Sequence, residues 1–273
     1  MSDMSTRRDT LLSGVLLFMV SCANAAGTAS RSTMLEASNQ DGVARSATRV
    51  RGFVDPEMDF QLLRSLGAAN YMGGAVGEIF AAIRNINDGD PRTWPSIFAA
   101  LGDQTQAIAR SVLPKHRVSA RDHFQRASMY YRAAEYHDDP VTEASRTHGL
   151  ASHDAFLEAA KLMPGKVDVV QIPFESVWLP GYFLQPAGVD ARPRKTVVVL
   201  TGFDGTGEEL YFQTGQAALE RGWNVLIAEG PGQAGFLRFH PHVAFRPDYE
   251  APVGAMIDYA FARPEVDSRR LAV

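Results

Sequence analysis

The hydrophobic period of this chain turns from helical to strand-like at Gly165, and that change limits the fold more than any other feature of the sequence. Upstream, Phe60, Leu63, Leu66, Ala69, Met72, Val76, Ile79, Phe80, Ile83 and Ile86 recur every three or four residues. That spacing is one apolar face of a helix, or of a helix pair broken at Gly73-Gly74. Asn87-Asp88-Gly89-Asp90-Pro91 ends it, and a second helix is predicted from Trp94 to Val112, before Pro114. A third opens at Ser119, an N-cap three residues before Asp122, and carries Phe124, Ala127, Tyr131 and Ala134 on one face. It stops at His137-Asp138-Asp139-Pro140, and a fourth covers Val141 to Leu162. Residues 55–165 therefore read as all-helical, without a repeat of about 34 residues.

After Gly165 the period is two. Val167 to Phe174 and Val177 to Gln185 read as paired strands around a turn at Glu175-Ser176. Thr196-Val197-Val198-Val199-Leu200 is a continuous β-branched run, as buried central strands are. Glu208 to Arg221 reads as a helix stopped by Gly222, Trp223 to Ala228 as a strand, and Ala251 to Ala262 as a helix. Arg270 to Val273 begins a further strand. Strands alternating with helices predict an α/β fold with a mostly parallel sheet between helical layers.

The first residues read as an address. Arg7 and Arg8 precede the apolar stretch Leu11 to Val20, and Ser21-Cys22-Ala23-Asn24-Ala25-Ala26 supplies small residues for cleavage after Ala25. Residues 1–25 are thus expected to be a signal peptide for an exported protein, by a twin-arginine or an ordinary secretory route. Cys22 is the single cysteine, so no internal disulfide can form. Met19-Val20-Ser21-Cys22 also resembles a lipoprotein box, and a lipid anchor at Cys22 is the alternative to a cysteine discarded with the leader. Residues 26–54 read as a flexible linker. The net charge of −4 and the lack of a basic block exclude a general nucleic-acid binder. No apolar run approaches the roughly 18 residues a membrane span needs.

Two loops leave the carboxyl ends of central strands, where ligands bind in open α/β sheets. In Thr201-Gly202-Phe203-Asp204-Gly205-Thr206-Gly207-Glu208-Glu209, glycines allow close backbone approach and amides point outward at a helix start. Such a loop can serve as part of an oxyanion hole, or be a plain strand-to-helix turn. It lacks the Gly-Lys-Ser/Thr ending of a P-loop. Glu229-Gly230-Pro231-Gly232-Gln233-Ala234-Gly235 is a tight turn that alone carries no function.

Val198 through Phe212, followed by Glu229-Gly230-Pro231-Gly232-Gln233, resembles a branch of the α/β-hydrolase superfamily. This branch includes the pseudooxynicotine hydrolases and the fungal polyketide-shortening hydrolases. Phe124 to Ala134, Phe245 to Glu250 and Arg263 to Asp267 extend the resemblance over about residues 55–273. It implies a partial α/β-hydrolase sheet, the first five strands (residues 166–273), preceded by an all-helical lid or cap domain (55–165). It also implies a serine nucleophile on a Gly-x-Ser-x-Gly elbow after the last strand, with a histidine base and an aspartate. The chain contains no such elbow. The expectation is a C-terminally truncated hydrolase, with ~100 residues and the whole triad beyond Val273, inactive as it stands. The site residues that carry over are the Phe203 backbone N–H as one oxyanion donor, with Asp204 and Glu209 as acidic groups that position substrate. The substrate is a small molecule, split at an ester or at a C–C bond beside a ketone. No cofactor is implied, and a homodimer is left open.

Other residues read more plainly. His240-Pro241-His242 has no third ligand, so no metal is expected. His137-Asp138-Asp139 reads as a solvated helix end. Tyr130, Tyr131 and Tyr136 line an aromatic pocket or, at helical spacing, pack in the core. Glu208 and Glu209 gain from the helix dipole without a catalytic task. The competing function is a non-catalytic exported or lipid-anchored binding protein built on the helical half.

Overall fold

The break at Gly165 separates a helical layer from a five-stranded sheet. The computed structural model describes residues 52–188, 190 and 192–273. The leader, Cys22 and the linker up to residue 51 lie outside the described residues.

Helix α1 (Pro56–Gly67) is capped by Asp55, whose carboxylate accepts the Glu57 and Met58 N–H groups. A 3₁₀ turn (Ala68–Tyr71) follows and ends at Met72 in the left-handed region, so the periodic stretch is a helix pair, with α2 at Val76–Ile83. Helix α3 spans Trp94–Val112, α4 Arg117–Tyr136 and α5 Glu143–Ala160. Helix α4 starts two residues before the expected cap at Ser119, and His116 precedes it without a side-chain cap bond. Packing overrides the cap, because Ala120 and Phe124 are buried against Ala109 of α3 and Ala159 of α5. Trp94, Phe98 and Tyr130 centre the helical core with Met58, Leu62 and Ile79.

Strands β1 (Lys166–Phe174) and β2 (Val177–Gln185) form an antiparallel hairpin, with Glu175 at positive φ in its turn. Strands β3 (Arg194–Val199), β4 (Asn224–Ala228) and β5 (Val266–Ala272) are parallel, and the sheet order is β1-β2-β4-β3-β5. Strand β5 begins four residues before the expected start at Arg270. Between β3 and β4 the chain forms α6 (Gly207–Leu210), a π turn (Tyr211–Gly215) and α7 (Gln216–Glu220), and Gly222 at φ 74° turns it back. A short helix that the sequence did not signal, α8 (Ala234–Leu237), follows β4, and α9 (Glu250–Ala262) precedes β5.

One sheet face buries Ile172, Phe183, Val198 and Leu226 against Met256 and Ala260 of α9. The other buries Tyr182, Leu184, Val225 and Ile227 against Phe156 of α5, Met129 of α4 and Phe212. Helices α4 and α5 thus lie directly on the sheet, and residues 53–273 form one compact unit. Among the described residues, no helix is long and apolar enough to cross a membrane.

Candidate active site

Strands β3 and β4 pair in parallel through Val199 and Ile227, so the loops that follow them emerge side by side. Every carbonyl of the first loop from Thr201 to Asp204 is held. Gln233 Nε2 donates to Thr201 O at 2.5 Å and to Gly202 O at 3.1 Å. The Ala234 N–H donates to Phe203 O at 3.1 Å, and Arg132 Nη2 donates to Asp204 O at 2.7 Å. The Phe203 N–H has no acceptor among the described residues. Gly205 sits against the Thr201 side chain, where a Cβ has no room.

A cleft of ≈ 280 Å³ opens beside this loop, walled by Arg132, Tyr136 and Ser145 from the helical layer and by Phe203, Asp204 and Leu237 from the sheet side. Phe203 is 72% exposed there. Tyr130 and Tyr131 are core residues, whereas Tyr136 faces the cleft with the Arg64 and Arg132 guanidinium groups over its ring. The core reading holds for Tyr130 and Tyr131, while Tyr136 is a cleft residue.

Below the cleft, Glu208 and Glu209 are nearly inaccessible to solvent. Glu209 accepts from Arg132 Nε at 3.0 Å, from Arg64 Nη2 at 2.6 Å and from Arg64 Nε, while Arg64 Nη1 reaches Asp204 Oδ2 at 2.8 Å. Glu208 accepts from Arg238 Nη1 at 3.0 Å and from the Tyr182 hydroxyl at 2.5 Å, and His153 Nδ1 lies 2.6 Å from that hydroxyl. Burial alone would raise both carboxyls. The charges of Arg238 on Glu208, and of Arg132 and Arg64 on Glu209, hold them below the usual carboxylate range. Glu229, whose Oε1 accepts the Gly235 N–H at 3.0 Å, behaves oppositely. Burial, and then the charge of Glu208, push it up to about 8.

The helix-dipole reading of Glu208 and Glu209 is incomplete: both stand in the first turn of α6, and both also pair with arginines, which come from three other segments. His137 is corrected too. It is half-buried with its ring 4.8 Å from that of Trp94, and burial lowers its pKa. His240 packs on Trp178 and Phe236, and His242 is exposed. Among the described residues, no group of three or more His, Cys, Asp or Glu is placed to hold a metal ion. Arginines and a glutamine at the site escaped the sequence reading, Arg64 of α1 among them. Arg132 lay inside a helical motif, Arg238 in an unassigned segment, and Gln233 in what read as a bare turn.

A hairpin followed by parallel βα units, a glycine-rich loop with uncommitted amides after β3 and a helical layer over that loop define an α/β-hydrolase architecture. The chain belongs to the α/β-hydrolase superfamily. It is 35% identical over 232 residues to the α/β hydrolase pydG of an Acremonium species, covering 79% of this chain and 53% of that protein. It is 36% identical over 212 residues to the α/β hydrolase xenA of Xenoacremonium sinensis, covering 74% of this chain and 48% of that protein. The chain spans about half the length of the curated relatives it matches. The solved 2,6-dihydroxy-pseudo-oxynicotine hydrolase shares the fold, with a TM-score of 0.63 at 20% identity over 76% of this chain and 56% of that one. No family model matches the chain.

Proposed function

We propose that the cleft between α4 and the loops after β3 and β4 is the substrate site of a serine-type hydrolase acting on an ester or on a C–C bond beside a ketone. The observation that carries this reading is the Thr201–Asp204 loop, with four carbonyls engaged and the Phe203 N–H left over at the cleft wall. Both reactions pass through a tetrahedral adduct whose oxygen takes on charge, and a preorganised N–H stabilises that charge more than the ground-state carbonyl. The register Val197↔Ala272 sets the end of β5 one strand away from the loop. A serine on a turn leaving β5 would attack within reach of Phe203, activated by a histidine that an aspartate orients. The second donor is the N–H of the residue after that serine.

Asp204 lines the cleft and is the acidic group available to a substrate. Glu209, spent on two arginines, acts through Arg132 on the loop. The helical layer is the lid that shapes the pocket, and the leader assigns the protein to an exported compartment.

The coding sequence after codon 273 is expected to specify Gly-x-Ser-x-Gly within about ten codons. A protein carrying that segment is expected to release p-nitrophenol from a p-nitrophenyl ester or to cleave a β-diketone, and to lose that activity when the serine becomes alanine. An unrelated downstream sequence, or activity that survives the serine change, contradicts the proposal.

A further inference from the structure

We infer that Gln233 is a positioning residue that aims the Phe203 N–H into the cleft; the inference rests on reading that N–H as an oxyanion donor. Gln233 is fully buried, and its one carboxamide makes three bonds. Oε1 accepts the Gly230 N–H at 2.7 Å, while Nε2 donates to Thr201 O at 2.5 Å and Gly202 O at 3.1 Å. Only this orientation of the amide works. Its reverse sets Oε1 against two carbonyl oxygens and Nε2 against an N–H.

The effect on Phe203 follows from peptide geometry. A trans peptide is planar, so the Gly202 C=O and the Phe203 N–H point in opposite directions. Holding the carbonyl toward buried Gln233 sends the N–H the other way, toward the cleft that Phe203 lines. The next two peptides are held as well, by Ala234 and by Arg132, so the plane cannot flip without breaking a bond on either side. Gln233 is itself placed by the turn before it. Gly232 has φ 79°, and a Cβ there would collide with the Phe245 backbone. The glycine-proline-glycine turn after β4 thus sets the direction of an amide on the loop after β3.

A purely structural Gln233, joining two loops and satisfying their polar groups, would matter for stability but not for amide direction. Two variants separate these roles. Gln233→Glu keeps the shape and the acceptor for Gly230 but loses both donors, and Gln233→Met loses all three bonds at similar length. In ¹⁵N relaxation the Gly202, Phe203 and Asp204 amides are expected to be rigid in the parent protein, with order parameters of about 0.85, and to fall below about 0.6 in both variants. Val225 to Ile227 in β4 should not change. In the proposed full-length enzyme, kcat on a p-nitrophenyl ester is expected to fall about 100-fold, with KM within about threefold.

Unchanged order parameters at residues 202–204 overturn the inference, whatever happens to kcat, and so does equal loosening of β4. Loosened loop amides with an unchanged kcat leave the hold of Gln233 standing and remove the oxyanion role of Phe203 instead. If Gln233→Met does not fold, Gln233→Asn, which withdraws the amide by one methylene, carries the same readings.

Discussion

Arg238, from the segment after β4, closes a two-bond ion pair on Glu135 of α4, with Nε–Oε1 at 2.8 Å and Nη2–Oε2 at 2.6 Å and both side chains buried. One helical turn earlier, Arg132 makes the reverse connection, from α4 to Glu209 of α6. Through these two pairs the helical layer and the sheet each supply one acid and one base. This fixes the roof of the cleft over the Phe203 loop through paired charge as well as apolar contact.

Breaking such a pair strands a buried charge. Glu135→Gln and Arg238→Met are each expected to cost about 3–5 kcal/mol in urea unfolding. The double variant should cost less than the sum, because Glu135 is then no longer a charge for Arg238→Met to strand, and Glu208 alone loses its arginine. Strict additivity would show that the two side chains do not interact.

Glu229 gives the protein a second pH dependence besides acid unfolding. The folded state keeps this proton up to about pH 8, whereas the unfolded chain releases it near 4.5. Between those values the folded state binds the extra proton, so stability falls as pH rises, by up to about 1.4 kcal/mol per unit, and levels above pH 8. Glu208, held low, works the other way and costs stability only as pH drops below the usual carboxylate range. Glu229→Gln is expected to flatten the decline in urea midpoint between pH 5 and 8. A variant whose decline parallels the parent's would contradict this assignment.

Gly149 of α5 faces the same ion pair. A Cβ there would lie 2.5 Å from Arg238 Nε and also collide with Glu135 Oε1. Gly149→Ala is therefore expected to destabilise by about 1–3 kcal/mol despite the better helix propensity of alanine. In a Glu135→Gln, Arg238→Met background the penalty should shrink. Thermal melts of the four proteins check this, and an equal penalty in both backgrounds argues against a clash with the pair.

Local signals were legible in the sequence. The period change at Gly165, the stop at Gly222, the helix pair broken after Met72 and the antiparallel opening hairpin all rest on residues adjacent in the chain. What escaped were relationships over long separations. Glu208 and Glu209 read as acids at a helix start, without arginine partners, because Arg64, Arg132 and Arg238 lie 30 or more positions away. Ser119 read as a cap because its sequence context is right, while the burial of Ala120 that overrides it depends on α3 and α5. Gln233 is the sharpest case. Its motif was visible, yet its role depends on two carbonyls 31 and 32 residues upstream.

The most direct test of the account removes one hydrogen-bond donor. Replacing Phe203 with its α-hydroxy acid in the proposed full-length enzyme exchanges the N–H for an ester oxygen and keeps the side chain. The account requires kcat for ester hydrolysis to fall about 10²–10³-fold with KM nearly unchanged. An undiminished kcat would show that this amide does not stabilise the reacting oxygen.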